Sequence, residues 1–160
     1  MSSERRNFLS TAIYQILLRM GWIFKTESVI IPAALDSIGG TGWVRGCLPM
    51  LNRVGQSLPP LLAWHWISNA RQQKSWLLAT TLMMGLLFCC LSLIWLTGLH
   101  LSGRLATFLF LTIYALFFVA VGISQLTLSA LIGKLIRAEW RGRLMLVANT
   151  LGCLVSIGCA

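Results

Sequence analysis

Five long apolar runs, separated by short polar links, dominate this chain of 160 residues; they cover about residues 8–35, 46–66, 76–96, 105–133 and 144–160. A helix rising 1.5 Å per residue needs about 20 residues to cross roughly 30 Å of hydrocarbon, and each run meets or approaches that length. The runs are continuous and leucine-rich rather than alternating in polarity, so they predict helices and not the strands of a barrel. A hydrophobic share of 57%, a charged share of 11% and a mean hydropathy of +0.79 exceed what an ordinary soluble domain carries. The expected fold is an all-α integral membrane bundle of about five transmembrane helices, one unit over residues 1–160.

The links hold most of the charge. DSIGGTGWVR (36–45) is a glycine-rich turn, SNARQQKS (68–75) is polar and basic, TGLHLSGR (97–104) is weakly polar, and KLIRAEWRGR (134–143) is strongly basic. If the spans alternate in direction, Arg5, Arg6, Arg71, Lys74, Lys134, Arg137, Arg141 and Arg143 fall on one side, and only Arg45 and Arg104 on the other. Cytoplasmic loops collect Lys and Arg, so the N-terminus is expected in the cytoplasm and the chain in the inner cell membrane as a multi-pass protein. In a soluble protein a net charge of +9 would point first to nucleic acid. Here the cations are divided among separate links, so the lipid bilayer is the expected partner and nucleic acid is not. MSSERRNF begins as a signal peptide does, but the run behind it holds internal charges and no small-residue cleavage site, so it is expected to remain as a span.

The first run contains Arg19, Lys25 and Glu27. Each charge near the bilayer centre costs about 3 kcal/mol, while about a dozen large aliphatic and Phe residues return roughly 0.5 kcal/mol each. Insertion of this helix alone therefore gains nothing, and it is expected to face protein or water on one side. In an antiparallel hairpin turning about Gly39 and Gly40, Glu27 lies at the depth of Arg53, and pairing would lower the cost of burying both. Lys25 and Glu27 point roughly 160° apart, so the charges do not form one stripe. Two expectations stand side by side: Arg19 and Lys25 snorkel toward opposite headgroup layers, or Lys25, Glu27 and Arg53 line a polar cavity. Asn52, Gln56, Gln125 and Asn149 read as interhelical glue, and Gly152 with Ser156 as a small-residue packing pair. Pro59 and Pro60 are expected to bend the second span and Pro32 the first. Trp64, Trp66, Trp76 and Trp140 flank cytoplasmic ends, as interfacial aromatic residues do.

No enzyme chemistry is legible. Cys47, Cys89, Cys90, Cys153 and Cys159 lie in or beside apolar runs without a CxxC pair, His65 and His100 stand apart, and HExxH, GxSxG and paired intramembrane acids are missing. No metal and no cofactor are expected.

KLIRAEWRGRLMLVANTLG (134–152) resembles the connection between the fourth and fifth helices of major facilitator superfamily transporters, where a basic loop with Arg-Gly-Arg (here Arg141, Gly142, Arg143) leads into a helix with small residues. HWISNARQQK (65–74) stands where that family often has Gly-x-x-x-Asp-Arg-x-Gly-Arg-Arg: Lys74 takes the final basic position, while Asn69 replaces the acid, Ala70 the first arginine and Gln72 the glycine, with Arg71 between. The resemblance implies part of the N-terminal six-helix bundle of a secondary active transporter, whose substrate pathway runs between two such bundles. It implies that the first and fourth helices face the central cavity, making Lys25, Glu27 and Gln125 candidates for contact with an unknown small-molecule substrate or a proton. It also implies a missing C-terminal half as partner, and no transport by this chain alone. The last run stops at SIGCA without a polar tail, in keeping with a truncated bundle. The alternative is a non-catalytic multi-span membrane subunit that uses the same charges to assemble with a partner protein.

Overall fold

A computed structural model describes residues 3–23, 30–37, 42–69, 72–97 and 103–159. They form six helices: α1 (Ser3–Ile23), α2 (Ile30–Ser37), α3 (Gly42–Asn69), α4 (Gln73–Thr97), α5 (Gly103–Leu135) and α6 (Ala138–Cys159). Among the described residues there is no strand. The first apolar run thus appears as α1 and α2, and the connection between them, residues 24–29, lies outside the described residues. Pro32 is the third residue of the described helix α2, and the expected bend of the first span there adjoins residues outside the described ones. α3 carries Pro49, Pro59 and Pro60 and is helical on both sides of each.

α4 over Gln73–Ile94 and α5 over Arg104–Leu135 are long and apolar enough to cross a membrane. Only 17% of the α4 stretch and 44% of the α5 stretch is buried within the chain, so packing against the rest of the protein does not account for their apolarity. Leu78, Leu82, Leu86 and Leu93 of α4 and Leu105, Phe108 and Leu116 of α5 are exposed. Four threonines on these helices bond back to their own backbone. Thr80 donates to the Trp76 and Leu77 carbonyls at 3.0 Å, Thr81 to Leu77 at 2.7 Å, Thr112 to Phe108 at 2.9 Å and Thr127 to Ile123 at 2.8 Å. A hydroxyl bonded back to its own helix needs no water.

The chain divides into two compact units, residues 1–26 with 129–160, and residues 27–128. In the second unit α5 supplies the central stripe. Ala106, Phe110, Tyr114, Phe117, Phe118 and Val121 recur at helical spacing and pack with Leu35 of α2, Leu48 of α3 and Leu87 and Leu91 of α4. The aromatic rings meet edge to face: Tyr114 and Phe118 at 4.8 Å between centroids, Phe117 and Phe118 at 5.3 Å. α3 and α5 come close enough to need glycine on both sides. A Cβ at Gly55 would lie 2.7 Å from the Phe118 Cβ, and one at Gly122 would lie 2.8 Å from the Gly55 carbonyl oxygen. Such small-residue crossings let two backbones touch where lipid offers no hydrophobic drive for helix association.

In the first unit α1 packs along α6. The Phe8 ring meets Trp140 edge-on at 6.2 Å, and farther along both helices the aliphatic stem of Arg19 lies against Gly152, where a Cβ would sit 2.9 Å from the Arg19 Cδ. Phe8 pairs with Trp140 and Arg19 with Gly152, so numbers rise together and the two helices run parallel over about three turns. The buried face of α6 is Leu144, Ala148 and Gly152; that of α1 is Thr11, Ala12 and Gln15. Leu9, Ile13 and Leu17 of α1 and Leu146, Leu151, Leu154 and Ile157 of α6 point outward. Apart from Leu144, the inner face of this pair is small or polar, while leucines and isoleucines stand on its outer face.

Candidate functional site

The first unit holds the Arg-Gly-Arg segment. α5 ends at Leu135, and the Ile136 N–H still donates to the Ile132 carbonyl at 3.0 Å; α6 begins within three residues, with the Trp140 N–H donating to the Arg137 carbonyl at 3.0 Å. The end of a helix leaves carbonyls without intrahelical partners and carries a partial negative charge. Arg141 answers both. Its Nε donates to the Ile136 carbonyl at 3.0 Å and its Nη2 to the Gly133 carbonyl at 2.8 Å, so the planar guanidinium fork clamps the turn between the helices. Arg143 sets its guanidinium over the Trp140 ring, 5.2 Å from the centroid, while Phe8 meets the same ring by its edge. Glu139, in the first turn of α6, sits where the helix dipole favours an acid. Gly142 has nothing within 4 Å of where a Cβ would be, so no neighbour in the chain requires a glycine there. Gly152 and Ser156, expected as a packing pair, are both in α6; Gly152 accommodates Arg19. Arg19 lays its aliphatic stem on α6 and is half-buried.

The second unit holds the polar residues of α3 and α5. Gln56 Nε2 donates to Asn52 Oδ1 one turn away within α3. The backbone of Gln56 lies against Gly122, so this pair flanks the α3–α5 crossing. Arg53 is exposed and Gln125 half-buried, and among the described residues neither has a hydrogen-bond or ion-pair partner. Asn149 of α6, also read as glue, is exposed. Lys25 and Glu27 lie outside the described residues, and with them the expected Glu27–Arg53 pair and the cavity those three residues were to line.

The loop that stands in place of the Asp-Arg-x-Gly-Arg-Arg pattern is closed by a residue that no motif or spacing singles out. Gln73, at the penultimate basic position of the family pattern, is buried, and its Nε2 donates to the Ile67 carbonyl at 3.3 Å across the turn from α3 to α4. The Ser75 and Trp76 N–H groups donate to the Gln72 carbonyl at 3.1 and 3.4 Å. Lys74 is exposed; Asn69 is the last residue of α3, and Arg71 lies outside the described residues. Another contact with no sequence signal joins α2 to α3: Arg45 grips Asp36 in a two-point ion pair, its Nε 2.6 Å from Oδ1. The two carry opposite charges within DSIGGTGWVR, but nothing in their spacing of nine residues marks them as partners.

Among the described residues no three His, Cys, Asp or Glu side chains gather where they could hold a metal ion. Compared with protein-family models, curated proteins and solved structures, the chain matches none.

Proposed function

We propose that this chain is the N-terminal part of a secondary active transporter similar to the major facilitator superfamily, embedded in the inner cell membrane as a multi-pass helical bundle with its N-terminus in the cytoplasm. The observation that carries the proposal is the α1–α6 pair, with small and polar residues inside, leucines and isoleucines outside, and basic residues at one end. The contact of Phe8 with Trp140 brings Arg5 and Arg6 to the same end of the pair as the 134–143 link, the arrangement favoured when positive charge stays in the cytoplasm. Parallel α1 and α6 are also what a first and a fifth crossing in alternating order require. The two long apolar helices α4 and α5 support residence in lipid, and the clamp of Arg141 on the end of α5 gives the basic Arg-Gly-Arg link a structural task beyond topology.

In this proposal α1, with the residues that follow it, and α5 face the substrate pathway. Glu27 is the first proton carrier to test, with Lys25, Arg53 and Gln125 as contacts for a small-molecule substrate. A complementary bundle completes the pathway, and this part of it does not transport by itself.

Membrane residence is tested first. In cells expressing Gly142→Cys in a background with the native cysteines replaced, a membrane-impermeant maleimide should label the link only after permeabilisation, and the chain should resist carbonate extraction. Labelling from outside intact cells, or release in soluble form without detergent, would sink the proposal. The transport assignment is tested by the downstream coding sequence and by uptake. Further apolar spans followed by a second basic-linked half are expected, and Glu27→Gln in that longer protein should abolish proton-coupled uptake at unchanged abundance. A stop codon, with a stable heteromeric complex on purification in mild detergent, would favour the non-catalytic subunit instead.

A further inference from the structure

The cationic end of the α1–α6 unit gathers nearly half of the chain's Lys and Arg residues. Arg5, Arg6, Lys134, Arg137, Arg141 and Arg143 belong to this end, against two acids, Glu4 and Glu139. The six do not do the same thing. Arg141 is committed to the carbonyls that end α5. Arg5, Arg6, Lys134 and Arg143 are exposed, and among the described residues none of them is ion-paired with a carboxylate. Trp140 fixes their setting, because its ring takes the Phe8 edge and the Arg143 guanidinium at once, tying the start of α1 to the start of α6. The apolar outer surface begins one turn beyond the cations: Leu9 follows Arg5 by four residues, and Leu146 follows Arg143 by three, both exposed.

We infer that this end of the α1–α6 pair binds the headgroup of an anionic phospholipid, with Arg5, Arg6, Lys134 and Arg143 around the phosphate and the acyl chains on the Leu9 and Leu146 face. The inference rests on the membrane residence proposed above. An amphiphile is favoured over a free anion because unpaired cations and exposed leucines are adjacent, matching a molecule whose charge and hydrocarbon are joined at that spacing. Nucleic acid would leave the leucines unused. Basic clusters beside a membrane-embedded surface recognise anionic lipid in this way, each charge strengthening binding about fivefold.

The full chain, purified in a mild non-ionic detergent, is titrated with phosphatidylglycerol and with phosphatidylcholine of identical acyl chains, and bound lipid is counted by native mass spectrometry. A preference for phosphatidylglycerol of about tenfold or more is expected. Combined Arg5→Gln, Arg6→Gln and Arg143→Gln should remove most of it, bringing it to near unity. Arg143→Lys should retain most of it, and Arg104→Gln, which alters a cation of the other unit, should leave it intact. Thermal melting of each variant separates loss of binding from loss of fold; if the triple Gln variant unfolds, the triple Lys variant and the salt dependence of the native chain decide the matter. Equal binding of the two lipids by a chain that still requires detergent overturns this inference alone. A chain soluble without detergent overturns it together with the membrane proposal. Displacement of phosphatidylglycerol by millimolar glycerol phosphate, or by a short oligonucleotide, would identify a free phosphate or a nucleic acid as the ligand and overturn it as well.

Discussion

The two compact units solve the burial of apolar helices in opposite ways. In residues 27–128 the core is a dense aromatic stripe on α5, and α3 reaches it only because Gly55 and Gly122 remove two side chains at the crossing. In residues 1–26 with 129–160 the buried face is Thr11, Ala12 and Gln15 against Leu144, Ala148 and Gly152, with an arginine stem laid across the last of these. Summed apolarity therefore selects α4 and α5 and passes over α1 and α6, although Leu9, Ile13 and Leu17 give α1 an apolar exterior. For a helix in lipid the outward face matters more than the average, because that face meets the solvent and the inward one meets protein.

Substitutions at the glycines test the contrast most sharply. Gly122→Ala should have the largest effect. Its methyl would sit 2.8 Å from a backbone oxygen that cannot rotate aside, so α3 must shift, and a loss of about 2–3 kcal/mol is expected, seen as a lower melting temperature in detergent. A melt unchanged from the parent would mean that α3 and α5 do not meet there. Arg141→Gln comes next: it leaves the Gly133 and Ile136 carbonyls without their charged donor, costs about 1–2 kcal/mol, and should speed amide exchange over residues 136–140. Arg141→Lys should restore only part, since an ammonium cannot hold two carbonyls in a fork. Gly142→Ala should act in the other direction. With open space around it in a helix, the added methyl should raise stability by up to about 1 kcal/mol. Smallest is Gly152→Ala, where the gain in helix propensity is offset by pushing aside the flexible Arg19 stem, for a net change within about 0.5 kcal/mol. A loss at Gly152 as large as at Gly122 would show that Arg19 is held rigidly.

Residue content alone marked out the helices whose apolarity is unbroken: the run at 76–96 became α4 (Gln73–Thr97), and that at 105–133 became α5 (Gly103–Leu135). Their ends are set by local composition, which a linear pattern carries well. Contacts between distant segments were not legible. Gly55 and Gly122 are 67 positions apart, and neither belongs to a small-residue repeat, so only the folded crossing identifies them. Arg141 stands out in the sequence as part of the Arg-Gly-Arg segment, but its hold on the end of α5 is visible only where the chain turns at Ile136 and presents two carbonyls to it. Gln73 is one of two adjacent glutamines, and only the packing of the α3–α4 turn tells which is buried. Of the proposed pathway residues, Arg53 and Gln125 are located on α3 and α5, while Lys25 and Glu27 fall outside the described segments.

The parallel pairing of α1 with α6 also bears on biosynthesis. Trp140 follows Phe8 by 132 residues, so at roughly 5–20 residues per second α1 leaves the ribosome some 7–26 s before its mate is made. During that interval the face of α1 that α6 covers in the folded chain, with Gln15 and the Arg19 stem, is not yet covered.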